Sequence, residues 1–100
     1  MISRQWKGIV RSGRDEEYIR HLKSETFPRL AKMRGFVGAS ILRRAVDDGT
    51  EFQVVTLWST LEAIKAFAGA DIGAAVVPPN AQPLLLRYDT RVVHYEVVAT

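Results

Sequence analysis

Only two side chains in this 100-residue sequence, His21 and His94, have an ordinary pKa near neutrality, and there is no cysteine. His94 is the candidate for proton transfer. It falls in a strand-like stretch, Thr90 to Ala99, where Val92, Glu96 and Val98 share its face. A competing reading makes it a half-buried imidazole satisfied by Glu96 or by a backbone carbonyl. His21 stands next to Arg20 and close to Lys23, and is expected on solvated surface. Arg4 and Trp6 alternate onto one face of a first strand. An arginine aimed into a core needs an anion, either a protein carboxylate such as Glu96 or a bound phenolate or carboxylate. Plain exposure is the remaining reading. Trp6 and Trp58 are either core residues or flat walls on which an aromatic ligand stacks.

Other chemistries find no support. Thiol catalysis and disulfides are excluded without cysteine. Two distant histidines with no carboxylate at ligand spacing make no metal site, and none is expected. There is no glycine-rich phosphate loop and no serine with a base beside it. The net charge is +3. Residues 1–50 hold eleven basic and six acidic side chains, and residues 51–100 hold three and five. Such a modest imbalance is explained by solvated surface, so no nucleic-acid partner is expected. No apolar run reaches the roughly 18 residues of a membrane span, and the start lacks the apolar core of a signal peptide. A cytoplasmic protein of one domain, residues 1–100, is expected.

The elements that must position these residues are legible from periodicity. Ile2 to Arg11 alternates as a strand. The acidic run Asp15-Glu16-Glu17 suits the positive end of a helix. Ile19, Leu22, Thr26, Leu30 and Met33 continue that helix at spacings of three and four, but Pro28 lies inside the pattern. Proline cannot donate to the carbonyl of Ser24, which predicts a kink, or a break with Pro28 in the first turn of a second helical piece. Phe36 to Val46 reads as a second strand, Asp47 to Thr50 as a hairpin turn, and Glu51 to Trp58 as a strand apolar on both faces. Ser59 and Glu62 form a candidate capping box for a helix through Leu61, Ile64 and Phe67, stopped by Gly69. Asp71 is expected to cap a brief turn through Val76. Leu84 to Leu86 is a short apolar run packing back on the domain, and Thr90 to Ala99 is the last strand. The order β-α-β-β-α-β predicts a ferredoxin-like α+β fold, a four-stranded antiparallel sheet with both helices on one face. Two helices cover one face only. The two-sided strand therefore asks for a second cover, which a second copy of the same sheet supplies, and a homodimer is expected. The RNA-recognition motif shares this order, but Arg34-Gly35-Phe36 is followed by Val37, Gly38 and Ala39 and falls on the second strand, not on the third or first where stacking aromatics belong.

The stretch Leu57-Trp-Ser-Thr-Leu-Glu-Ala-Ile-Lys-Ala-Phe67 resembles the antibiotic biosynthesis monooxygenase superfamily of dimeric α+β barrels, as do Ile-x-Arg-x-Trp at 2–6, Phe-Ala-Gly-x-Asp at 67–71 and His-Tyr-Glu-Val at 94–97. The resemblance implies a dimeric barrel with a small-molecule cavity in each subunit. Members include cofactor-independent oxygenases of aromatic polyketides, quinol oxygenases and haem-degrading enzymes. Trp58 matches the tryptophan that ends the third strand in several members. The asparagine that the polyketide oxygenases place four residues earlier is Val54 here. The histidine of the haem-degrading members is replaced by Ala68, and their first-strand asparagine by Gln5 and Trp6, which disfavours haem degradation. The resemblance thus implies cofactor-free oxidation of a small phenol or quinol. His94 would take the proton, Arg4 would hold the oxyanion, and Trp6 and Trp58 would position the ring. Two other readings stand beside it: a non-catalytic dimer that binds a small apolar or aromatic molecule, and an interaction module with Trp6 and Trp58 packed solid.

Overall fold

Alternation along the first strand sorts its side chains into two sets, and the computed structural model, which describes residues 1–100, places them on opposite faces of one sheet. Arg4, Gly8 and Val10 are buried beneath the helices, with Trp6 half-buried among them, while Lys7 is exposed on the far side. This strand, β1 (Ile2–Val10), is central. It pairs antiparallel with β3 (Gly49–Trp58), and β3 pairs with β2 (Phe36–Val46). The other edge of β1 is shared by two short strands, β4 (Leu85–Tyr88) beside Gly8 to Val10 and β5 (Val93–Glu96) beside Ile2 to Gln5. The strand order β2-β3-β1-β4 is that of the ferredoxin-like α+β fold. Its fourth strand is divided by Asp89 to Val92. The apolar run at Leu84 to Leu86 was too short to announce a strand, yet from Leu85 onward it supplies the first half of it.

The first helical segment runs without a break from Asp15 to Ala31, and the irregularity that Pro28 predicts takes the form of a π turn just before it. It comprises α1 (Asp15–His21), a π turn (Leu22–Thr26) and α2 (Phe27–Ala31), with Pro28 in the first turn of α2. The second helix, α3 (Leu61–Ala68), differs from expectation at its cap. Thr60, not Ser59, accepts a hydrogen bond from the Ala63 amide, at 3.1 Å. Ser59 is still held to the sheet by its own amide, which donates to the Gly35 carbonyl at 2.8 Å, so the chain turns one residue later and the Ser59–Glu62 box does not form. Gly35 permits this approach. Its φ is +87°, and a Cβ there would press on Ala63. Gly69 ends α3 as expected. Asp71 organises only a short turn, because Ala74 leaves it to pair with Arg91.

The covered face holds two apolar clusters. One, around Trp58, Ile64 and Leu30, lies under α3; the other joins Val10, Phe52, Tyr18 and Leu85. The opposite face has no helix on it. It carries Gln5, Gln53 and Ser40 among Val55, Leu57, Leu42, Val93 and Tyr95, and the last three are more than half exposed. No helix is long and apolar enough to cross a membrane.

Candidate functional site

A cavity of about 240 Å³ lies between the covered sheet face, the first helical segment and the segment Val76 to Ala81. Its floor is Arg4, Trp6, Val54 and Thr56; its walls include Tyr18, His21, Leu22, Phe27 and Leu30; Phe67 and Val92 close one side. Its exposed rim is formed by Glu25, Arg29, Val76 and Asn80. The lining is mainly apolar with a few polar groups, the usual make-up of a small-molecule site, and the volume lies below the ~300–1,000 Å³ common for such sites.

Arg4 is the unusual member. It is only 5% exposed, yet no carboxylate pairs with it. Its Nη1 donates to the Ile72 carbonyl and to His94 Nε2 at 3.0 Å, and its Nη2 donates to the Ala74 carbonyl at 2.8 Å. Three of five N–H donors are thus used on neutral acceptors, and two remain. The Phe67 ring lies 5.6 Å from the guanidinium carbon and adds a cation–π contact. Burial lowers the Arg4 pKa from its ordinary value, but an arginine stays charged at neutral pH. The ion pair with Glu96 does not exist: Glu96 stands opposite Ile2 at the exposed sheet edge. The guanidinium, which lines the cavity, thus has no carboxylate counter-charge.

His94 is cross-strand neighbour to Arg4 on the covered face. A guanidinium can only donate, so Nε2 accepts and the ring proton sits on Nδ1. Partial burial, and then the Arg4 charge, lower the His94 pKa and hold the imidazole neutral. His94 reaches the cavity only through Arg4, since it is not among the lining residues. Of the four residues singled out in the sequence, Arg4 and Trp6 line the cavity, and His94 and Trp58 stand behind it.

The two tryptophans differ for a local reason. Trp6 has Gly8 two residues on, and its indole lies over that glycine, in the space where a Cβ would stand. Its Nε1 donates to the Asp89 carbonyl at 2.9 Å, in the break between β4 and β5. Trp58 is wholly buried. It stacks on Phe67 at 5.6 Å, meets Phe36 edge-on at 5.3 Å and donates to Thr56 Oγ1 at 2.9 Å.

His21 corrects the expectation of a surface residue. It is 9% exposed and forms part of the cavity wall, stacked against Tyr18. Its Nδ1 lies 2.6 Å from Glu25 Oε2 and its Nε2 3.3 Å from Thr26 Oγ1. The charged neighbours Arg20 and Lys23 suggested surface, but they are exposed on the side of the helix away from the buried His21. Burial pushes the Tyr18 hydroxyl pKa well above its ordinary value. No group of three or more His, Cys, Asp and Glu side chains is placed to hold a metal ion.

No protein of curated function matches the chain in sequence. Its fold is shared with several solved structures. A candidate antibiotic biosynthesis monooxygenase from Bacillus cereus is 21% identical, with a TM-score of 0.68, 100% of this chain and 94% of that one being covered. MhuD, a haem-degrader from Mycobacterium tuberculosis solved with two haems in its active site, is 23% identical, with a TM-score of 0.65 over 100% and 98%. SnoaB, a cofactor-independent oxygenase from Streptomyces nogalater, is 16% identical, with a TM-score of 0.62 over 99% and 94%. Residues 1–77, which carry β1 through α3 and the Arg4 and Trp6 floor of the cavity, match the family model described as antibiotic biosynthesis monooxygenase, and the chain belongs to that family.

Proposed function

We propose that this protein is a cofactor-independent monooxygenase-like enzyme acting on a small phenol or quinol. The observation that carries the reading is Arg4, a buried guanidinium at the floor of an apolar cavity with no carboxylate of its own. Such a cation favours an oxyanion in the cavity and so lowers the pKa of a bound phenol. A phenolate gives an electron to dioxygen far more readily than its phenol does. Recombination of the resulting radical pair at a ring carbon and loss of water convert phenol and dioxygen into quinone and water. Trp6 supplies the flat wall. Trp58 acts indirectly, by fixing Phe67 and Thr56, which both touch the cavity. His94 fixes the Arg4 guanidinium instead of meeting the substrate.

Haem suits this cavity poorly, because α3 presents Ala68 where the haem-degrading members carry histidine. The uncovered sheet face, with Leu42, Val93 and Tyr95 exposed, supports a homodimer packed sheet to sheet.

The test uses 1-naphthol. Oxygen uptake should match formation of 1,4-naphthoquinone, with one atom of labelled dioxygen in the product. Arg4→Met should abolish turnover, and His94→Ala should reduce it sharply while the dimer, measured by light scattering, persists. Thermal stabilisation by 1-naphthol that is recovered unchanged would instead support the binding protein. Absence of any effect on the protein would leave the interaction module.

A further inference from the structure

The pair Glu25–His21 faces the same cavity from the helical side, and nothing in the proposed role of Arg4 uses it. We infer that His21, oriented by Glu25, is the proton acceptor for a hydroxyl-bearing aromatic ligand. The inference rests on the phenol reading above and adds the base that it lacks.

Three features of the site lead here. First, the π turn sets the geometry. The Phe27 amide bonds the Leu22 carbonyl five residues back, a spacing that brings His21 and Thr26 onto one side, and such turns recur at functional sites. Second, the imidazole is preorganised. Nδ1–H donates to the Glu25 carboxylate at 2.6 Å, which leaves the lone pair on Nε2. Asn80, across the cavity mouth, donates to the same carboxylate oxygen at 3.1 Å and holds it in place. Third, the acceptor position is weakly held. Thr26 Oγ1 lies 3.3 Å from Nε2, long for a hydroxyl donor, so a ligand hydroxyl can displace it.

The other charged or titratable groups around the cavity do not compete. Arg4 and Arg29 are cations, and burial keeps the Tyr18 hydroxyl neutral. Glu25 is committed to His21 and Asn80. In the step proposed, the ligand O–H bond breaks, the proton forms a new N–H bond at His21 Nε2, and the electron pair stays on the ligand oxygen. The charge spreads through the ring, and Arg4 on the opposite element stabilises it.

4-Nitrophenol reports this directly, because its phenolate is yellow and its charge extends to the nitro group. Bound to the wild type below its solution pKa, it should be largely phenolate, and 15N NMR should show His21 passing from the Nδ1–H tautomer to imidazolium. His21→Gln should bind within about threefold of wild type but lose about tenfold of the phenolate-to-phenol ratio; Glu25→Gln, at a half-exposed position, should lose less. A phenolate ratio unmoved in both variants, or a His21 ring that stays neutral in the complex, would overturn the inference and leave Arg4 in its role. Failure of the wild type to bind the probe would overturn the phenol reading and this inference together. Should His21→Gln not fold, Glu25→Gln and the wild-type NMR signal still decide.

Discussion

Trp6 and Trp58 project from adjacent strands onto the same face of one sheet, yet one lines a cavity and the other is sealed. The difference lies in what covers them. Over Trp58, α3 is an unbroken, capped helix whose Ala63 and Ile64 are buried, and Phe67 stacks on the indole. Over Trp6, the covering helix widens into a π turn and the sheet edge is interrupted at Asp89, and its aromatic neighbours Tyr18 and Tyr88 stand tilted at 6.4 and 6.3 Å. Continuous cover gives a solid core, and interrupted cover leaves a cavity. The same residue type serves both ends because cover, not composition, decides accessibility.

Replacing the sealed indole should have the largest effect: Trp58→Ala is expected to cost about 3–5 kcal/mol in urea unfolding, as for other large buried truncations. Trp6→Ala should cost less, about 1–2 kcal/mol, because the side chain is only half-buried. It should also weaken 1-naphthol binding. Equal stability losses for the two variants would break the comparison. The solid half also depends on its cap, and Thr60→Ala should cost about 1 kcal/mol, against about 0.5 kcal/mol or less for Ser59→Ala. The reverse order would restore the serine cap. The smallest effect belongs to the open half. Burial and then Arg4 lower the His94 pKa from its ordinary 6.5, so as pH falls the unfolded chain takes up this proton first. Stability from this group should be fully present above about 6.5 and decline below it, until the folded-state pKa is passed. Urea unfolding at several pH values should show a shallower slope in His94→Asn; an unchanged slope would mean that the imidazole feels neither burial nor the guanidinium.

The β-α-β-β-α-β order was legible because alternation and helical spacing survive in nearly every element. The division of the last strand was not, since Leu85 to Tyr88 is too short for a periodicity of its own. The cap was misplaced by one residue because Ser59 and Thr60 are chemically equivalent candidates; a contact from Gly35, distant in sequence, chose between them. Arg4 and Trp6 could be placed on one face by strand phase alone. His21 could not, because the charged residues around it share its helix and mask its direction. The π turn that brings it inward is hinted at only by Pro28. The absence of a carboxylate for Arg4 is a tertiary fact, decided by Glu96 facing Ile2.

The central place of β1 has a consequence in time. The Arg4–His94 hydrogen bond joins residues 90 positions apart, and the Val97 amide reaches back to the Met1 carbonyl. During synthesis β1 emerges first, but one of its edges stays open until β4 and β5 have followed, and contacts of such long sequence separation form slowly. The partners of the Arg4 guanidinium, Ile72, Ala74 and His94, all lie in the last third of the chain, so it cannot be anchored before that part has been made. A chain stalled before that stage would leave the second edge of β1 unpaired and the guanidinium unanchored, so changes in β5 should act mainly on the unfolding rate, and through it on stability, with little effect on the refolding rate.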